Sequence, residues 1–356
     1  MLLKPDPPLI SRLLRDETDE RYRYLIRHGV LHFVEAETLT LYVELAQIPN
    51  IIVVYRRPSE RITNADKLSL EQRGLKHVPL LEGEEKLKQL TLSYNEITRI
   101  ENIVSLPNLT YLDLASNKLS EVNKLPALQH LRILNLSKNQ LTKIENLEGL
   151  PNLDVLDLNE NQIAKIENLA KLPNLRILNL SNNLITVLEM PEAMMNLQEL
   201  NLRKNLIGEV GQLGKMNSLL RLYLSNNKLA SVEGVRSLPA LSEITLENNP
   251  LEQSEGLLRN LRTQFPSLQY FNLQKVTLLI SNLSHQQHSL AEKISQHQAQ
   301  SSLHKSLQAG SSKREPIGSM PNSVATKRTL TVAQGYREEC LGQNRSTSGH
   351  VPMQVF

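Results

Sequence analysis

The sequence predicts an α/β solenoid: short parallel strands lining a concave face, with tight 3₁₀ or short helical turns on the convex side. Two observations carry that reading. Leucine and asparagine recur in one register at steps of 22 residues, and a period of that length marks a repeat architecture. Of the 356 residues 40% are hydrophobic, yet aromatics make up only 4% and tryptophan is absent. A single globular core of this size would contain more large rings, whereas one aliphatic unit used many times does not need them.

The unit reads Leu-x-x-Leu-x-Leu-x-x-Asn-x-Leu/Ile. It starts at Leu87, Leu90, Leu92, Asn95 and Ile97, and its first leucine returns at Leu109, Leu131, Leu153, Leu175, Leu197, Leu219 and Leu241. The asparagines fall at Asn95, Asn117, Asn139, Asn161, Asn183, Asn205, Asn227 and Asn249, without insertion. The alternating x-Leu-x-Leu-x stretch suits a short strand with leucines inward. After each asparagine, apolar residues recur every third position, as in Ile97, Ile100, Ile103, Leu106 and in Ile163, Ile166, Leu169, Leu172. A spacing of three predicts a tight 3₁₀-type turn. Leu-Pro pairs at Pro107, Pro151, Pro173 and Pro239 end that segment and return the chain to the next strand. The asparagines are expected inside the bend, their amides satisfying backbone groups of adjacent repeats.

A lone 22-residue unit buries too few aliphatic side chains to offset the entropy of ordering it, so units must stack and the ends need covers. Upstream, Leu68-Ser-Leu-Glu-Gln-Arg-Gly-Leu75 is a degenerate unit with Arg73 in the asparagine slot. Residues 8–47, with apolar groups at Leu9, Leu13, Leu14, Tyr24, Leu25, Phe33, Val34, Leu41 and Leu45, are expected to be largely helical. The region 1–66 is therefore read as a helical N-terminal cap or docking module. Downstream, Pro250 follows Asn249, and the register lengthens to 27 residues through Leu257, Leu258, Leu261, Phe265, Leu268, Phe271 and Leu273. The solenoid with its C-terminal cap is expected over 67–277. Residues 278–356, rich in Ser, Gln and His and then in Ser, Lys, Arg and Gly, are expected to be largely disordered, with a weak helix at 284–308.

Charge and chemistry narrow the function. Of the formal net charge of +3, residues 281–356 contribute eight Lys/Arg against four Glu, leaving the remainder at −1. That gives no basic face for nucleic acid. The single cysteine, Cys340, allows no intramolecular disulfide, and the start Met1-Leu-Leu-Lys-Pro-Asp-Pro-Pro lacks an apolar leader. No run of 18 apolar residues occurs, so no membrane segment is expected and the chain is read as soluble and cytoplasmic. The Asn-x-Ser/Thr triplets at Asn108, Asn135 and Asn179 then belong to the repeat. Gly208, Gly211, Gly214 and Lys215 have the wrong spacing for a phosphate loop, and Met216 stands where Ser/Thr is needed. His285, His288, His297 and His304 lie in a polar segment without further ligands. Cys340 has no base near it in sequence. No enzyme activity, cofactor or metal is expected.

The binding surface can be read from the register. The position before the second leucine holds Gln89, Tyr111, Ile133, Val155, Ile177, Glu199, Arg221 and Glu243; the one between the strand leucines holds Thr91, Asp113, Asn135, Asp157, Asn179, Asn201, Tyr223 and Thr245. The position after the third leucine holds Ser93, Ala115, Ser137, Asn159, Ser181, Arg203, Ser225 and Glu247. Tyr111, Ile133, Val155 and Ile177 form an expected apolar ridge. Beside it Asp113, Asp157, Glu199, Glu243 and Glu247 outnumber Arg203 and Arg221. Such a face suits an apolar protein partner with a basic rim.

The 22-residue unit with Ile-x-x-Ile/Leu-x-x-Leu resembles the SDS22-like class of leucine-rich repeats, which includes a regulatory subunit of protein phosphatase 1 and ciliary and centrosomal proteins. Within it, Ala65-Asp-Lys-Leu-Ser-Leu-Glu-Gln-Arg-Gly-Leu-Lys-His-Val-Pro-Leu-Leu-Glu-Gly-Glu-Glu-Lys-Leu87 is most similar to the leucine-rich-repeat subunits of tubulin polyglutamylase complexes. Asn95-Glu-Ile-Thr-Arg-Ile-Glu-Asn-Ile103 and Glu243-Ile-Thr-Leu-Glu-Asn-Asn-Pro-Leu-Glu-Gln253 extend the likeness, which covers roughly 65–277. The resemblance implies a non-catalytic scaffold or regulatory subunit in a multi-subunit complex that adds glutamates to tubulin, on cilia or cytoskeleton. The alternatives it leaves are a phosphatase-1 regulator, from which the long flanks depart, and a general adaptor at centrosome or axoneme.

Overall fold

The computed structural model describes residues 29–276 together with Leu279, except 36–39, 46–50, 82, 124, 191–192, 233–234, 236–237 and 252–254. Residues 1–28, the segment 284–308, the four histidines from His285 to His304 and Cys340 lie outside the described residues. The expectations placed on them have no structural counterpart here.

The repeat leucines form a solenoid. Strands β6 (Gln89–Thr91), β7 (Tyr111–Asp113), β8 (Ile133–Asn135), β9 (Val155–Asp157), β10 (Ile177–Asn179), β12 (Glu199–Asn201), β14 (Arg221–Tyr223) and β15 (Glu243–Thr245) stack in parallel. Each residue pairs with the one 22 positions on, as Leu134 does with Leu156. The middle residue of each is buried and forms one continuous aliphatic core with the leucines and isoleucines behind it. The degenerate first unit joins the same sheet through β4 (Lys67–Ser69), with Leu68 opposite Leu90.

Behind the strands, the spacing of three appears as i→i+3 hydrogen bonds. Leu106 N–H donates to the Ile103 carbonyl (3.0 Å), and Leu109 N–H to that of Leu106 (3.3 Å); the pattern recurs from Leu147 to Leu153 and from Leu169 to Leu175. These are isolated turns rather than runs of 3₁₀-helix. In the fifth and sixth units the outer segment is instead a pair of parallel strands, β11 (Val187–Met190) and β13 (Glu209–Leu213). Gly211 sits where an added Cβ would lie 3.3 Å from Glu189 Cβ and 3.4 Å from Val187 Cγ1, so its small size serves this close packing.

The asparagines occupy the bend as expected. Asn161 is 8% exposed; its Nδ2 donates to the carbonyls of Leu136 (3.0 Å), Leu158 (3.1 Å) and Asn159 (3.3 Å), and its Oδ1 accepts from Leu141 N–H (3.0 Å). The pattern runs from Asn95, which accepts from Arg73 N–H (2.9 Å), to Asn249. Immediately before each asparagine the backbone turns left-handed, at Tyr94, Ser116, Lys138, Glu160, Asn182, Lys204, Asn226 and Asn248 (φ 52–60°). For a residue with a side chain this conformation costs on the order of 1 kcal/mol. Bonds such as Lys138 N–H to the Asn159 carbonyl (2.8 Å) offset it.

The N-terminal cap is mainly sheet over its described part, against the helical expectation for 8–47. Strands β1 (Gly29–Glu35), β2 (Thr40–Leu45), β3 (Ile52–Tyr55) and β5 (Leu80–Leu81) form a separate sheet in that order, antiparallel except for β3 and β5. The apolar residues at 41–43 and 53–55 alternate between two buried faces rather than marking a helical stripe. Tyr42 and Val54 join the solenoid core, while Leu41, Val43, Val53 and Tyr55 are buried on the opposite face. A short helix, α1 (Pro58–Thr63), follows with proline in its first turn. Arg56, 1% exposed, pairs bidentately with the buried Glu84, its Nε 3.0 Å from Oε1. Its Nη1 donates to the carbonyls of Asn64 (2.8 Å) and Lys67 (3.0 Å), tying this sheet to the first unit.

At the other end, helix α2 (Glu255–Gln264) places Leu261 in the core, and Phe265 and Leu268 follow it there. Strand β16 (Tyr270–Phe271) pairs with β15 at the expected offset of 27 (Glu243 opposite Tyr270) and folds back onto β17 (Gln274–Lys275). Leu273, expected among the cap's apolar residues, instead sits at the hairpin tip, 65% exposed with φ 65°. With Asn272 (φ 48°) it forms a two-residue turn whose twist matches the strands. Asn272 Oδ1 accepts from Leu246 N–H at 2.7 Å, covering the last open bend.

Two stability outcomes follow. Asn161→Ala is expected to cost about 1–3 kcal/mol for an orphaned backbone group, measured by urea unfolding. Glu84→Ala should cost about 3–5 kcal/mol by leaving Arg56 buried without its counter-charge, and Arg56→Met with Glu84→Leu should recover most of that loss.

Candidate functional site

Three-residue strands send the middle side chain inward and the flanking two outward. Tyr111, Ile133, Val155 and Ile177 stand directly opposite one another on four adjacent strands, all half-buried. The ridge read from the register is thus a contiguous surface. The row continues through Glu199, Arg221 and Glu243.

The second row has a structural duty that sequence reasoning missed. The side-chain Oδ1 atoms of Asp113, Asn135, Asp157, Asn179 and Asn201 each accept from the backbone N–H two residues on. The distances are 2.9, 3.1, 3.0, 3.2 and 3.2 Å. These are Asx turns that satisfy the end of each strand. Asp113 also receives the Tyr111 hydroxyl on Oδ2 at 3.3 Å. In the third row Ser93, Ala115, Ser137 and Ser225 are buried, as is Thr245 of the second, so these five are not part of the accessible face.

The charges separate into two groups. Arg221 Nε donates to Glu199 Oε2 at 2.8 Å, a bond that raises the arginine pKa further. The Arg203 guanidinium lies 4.0 Å from the Tyr223 ring centre, a cation–π contact. Burial and the nearby charges of Glu199 and Glu243 push the Tyr223 hydroxyl up to about 12. Arg203 and Arg221 are therefore engaged within their own face. At the N-terminal end, Asp113 has its pKa raised chiefly by burial and further by the charges of Glu71 and Asp157, against the lowering effect of its hydrogen bonds from Ala115 and Tyr111. Burial, followed by the Asp113 charge, pushes the Tyr111 hydroxyl up to about 12. Glu71 was absent from the sequence-derived face. Extending the register by one unit finds it, since it stands 22 positions before Ser93. Among the described residues, Glu71, Asp113 and Asp157 have no ion-pair partner, no cluster is placed to hold a metal, and no helix is long and apolar enough to cross a membrane.

Comparison with known proteins agrees with this architecture. Residues 85–127, 129–171 and 173–215 match the family described as leucine-rich repeats in two copies. A 65-residue stretch is 42% identical to human leucine-rich repeat-containing protein 49, covering 18% of this chain and 10% of that protein. The mouse protein of the same name is 37% identical over 110 residues, 31% of this chain and 14% of its own length. The chain thus matches only about a tenth to a seventh of the length of these curated relatives. The solved leucine-rich repeat domain of APL1B superposes with a TM-score of 0.50 at 23% identity, over 60% of this chain and 69% of that one, a likeness of fold.

The raised pKa of Asp113 means that the folded state holds this proton more tightly than the unfolded chain does. Its contribution to stability is present at acid pH and is lost as pH rises through the folded pKa. Asn135, Asn179 and Asn201 make the same turn without charge. Asp113→Asn is therefore expected to raise the melting temperature slightly at about pH 7 and to leave it unchanged near pH 3, as thermal melts across that range would show.

Proposed function

We propose that this leucine-rich-repeat chain is a non-catalytic scaffold that holds a protein partner on its concave sheet. The observation that carries the reading is the ridge of Tyr111, Ile133, Val155 and Ile177, four half-exposed apolar side chains in register on four neighbouring strands. A rigid sheet presents them without reorganisation on binding, which favours affinity. Asp113 and Asp157 border the ridge beside Tyr111 and Val155, and Glu199, Arg221, Tyr223 and Glu243 extend the face beyond Ile177. The partner that fits is apolar at its centre with Lys or Arg at its rim. Nucleic acid is disfavoured, because its phosphates would meet carboxylates.

The finer reading is a subunit that organises a tubulin polyglutamylase complex on cytoskeleton or cilium. It is supported by the resemblance of the segment Ala65–Leu87, and the partial identity to leucine-rich repeat-containing protein 49 accords with it. On this reading the acidic concave face contacts the enzyme or a sister subunit, since tubulin's acidic tails would be repelled.

Ile133→Arg combined with Ile177→Asp is expected to abolish partner capture with little change in melting temperature, since both side chains are half-exposed. Unaltered binding would remove the ridge. Affinity purification of the full chain with mass spectrometry is expected to recover a tubulin-ligase-like enzyme that the double variant loses; a phosphatase catalytic subunit in its place would overturn the finer reading.

A further inference from the structure

A second asparagine row ties the back of the solenoid together. Asn102, Asn146 and Asn168 are left-handed (φ 61, 59 and 62°). Their Nδ2 atoms donate to the carbonyls of Val78 (2.8 Å), Val122 (2.7 Å) and Ile144 (2.7 Å), each 24 residues earlier. The register places Lys124, Met190, Gln212 and Gly234 in the same slot of the units that lack the asparagine. A cleft opens beside two of these steps, those to Lys124 and Met190. One, of about 430 Å³, lies over Ile100–Val104 with Leu125 and Pro126, and leaves Val104 78% exposed. The other, of about 240 Å³, lies between the segment Lys165–Leu169 and the residues Glu189, Met190 and Met194.

The second cleft has the chemistry of a binding site. A methionine side chain cannot donate a hydrogen bond, and among the described residues nothing donates to the Ile166 carbonyl. By the geometry of Val122 and Ile144, that carbonyl faces the next unit. Ile166, Leu169, Met190 and Met194 supply an apolar lining, and methionine adapts readily to an incoming side chain. Glu167 and Glu189 line the cleft together with Lys165.

We infer that this cleft is a second docking site, for an extended segment of a partner protein carrying an aliphatic residue flanked by Lys or Arg. A backbone N–H of that segment meets the Ile166 carbonyl, the aliphatic side chain enters between Met190 and Met194, and the basic neighbours face Glu167 and Glu189. The arrangement resembles strand addition, in which main-chain bonds give affinity and pockets give specificity. The site lies on the convex side and is independent of the concave ridge.

The test is a displayed library of random decapeptides selected against the full chain. Enriched peptides are expected to share an aliphatic residue between basic ones. Their affinity should fall about tenfold for Glu167→Lys with Glu189→Lys. That variant should keep its melting temperature, and replacing one peptide amide by an ester should also weaken binding. The same peptides should bind Ile133→Arg/Ile177→Asp unchanged, which separates this site from the ridge. The proposal is overturned if no such motif is enriched, if the charge-reversed variant binds equally well, if no ester position matters, or if the ridge variant loses the peptides.

Discussion

The structure depends on one hydrogen-bonding problem and its repeated solution. At every bend the chain turns sharply inside a closed stack, where water cannot reach the backbone, and buried N–H and C=O groups must find protein partners. One asparagine amide offers an acceptor oxygen and a two-hydrogen donor at the end of a short stem. In the fourth unit Asn161 uses both, bonding Leu136 and Leu141 of the unit before and Leu158 of its own. A longer or charged side chain would not fit this balance of donors and acceptors. The interval of 22 residues follows, because each asparagine must lie beside its predecessor for the bonds to close.

The ends show what the ladder requires when it stops. At the first unit Arg73 replaces the asparagine, and the chain covers the exposed leucines with a small sheet bound through Arg56 and Glu84. Burying that pair is favourable only because the Asn64 and Lys67 carbonyls take up further donors of the guanidinium. At the last unit Asn272 closes the remaining bend from a hairpin, and Phe265 supplies the volume that another row of leucines would have supplied.

Function is left to whatever the scaffold does not consume. The second concave row is largely absorbed in Asx turns, and Arg221 and Arg203 are engaged by Glu199 and Tyr223. What remains on the concave side is an apolar ridge with carboxylates at its border. On the convex side, what remains includes two clefts beside units where the second asparagine row is broken. The chain that is so regular in its core differs from unit to unit mainly at these positions, and there a partner can find a distinctive surface.

By itself the sequence determined the solenoid, its register, the buried asparagines, the offset of 27 at the exit and the positions forming the ridge. All of these follow from local spacing, which a periodic fold translates directly into space. Only the tertiary structure decided the rest. Residues 8–47 read as largely helical by their apolar content, yet the strands at Thr40–Leu45 and Ile52–Tyr55 pair with each other and, through the latter, with Leu80 and Leu81 of the first unit. The left-handed residues before each asparagine include Tyr94, Lys138 and Glu160, whose identities give no hint of that conformation; bonds between neighbouring units impose it. Asp113 looked like a free surface charge, but contact with Ala115, Tyr111 and the field of Glu71 made it a partly buried, structural one. For the sheet's pairing with the first unit and for the left-handed residues, the deciding interaction joins residues about twenty or more positions apart. For Asp113 it joins close neighbours brought together only by the strand's turn, with the charges of Glu71 and Asp157 from other units added.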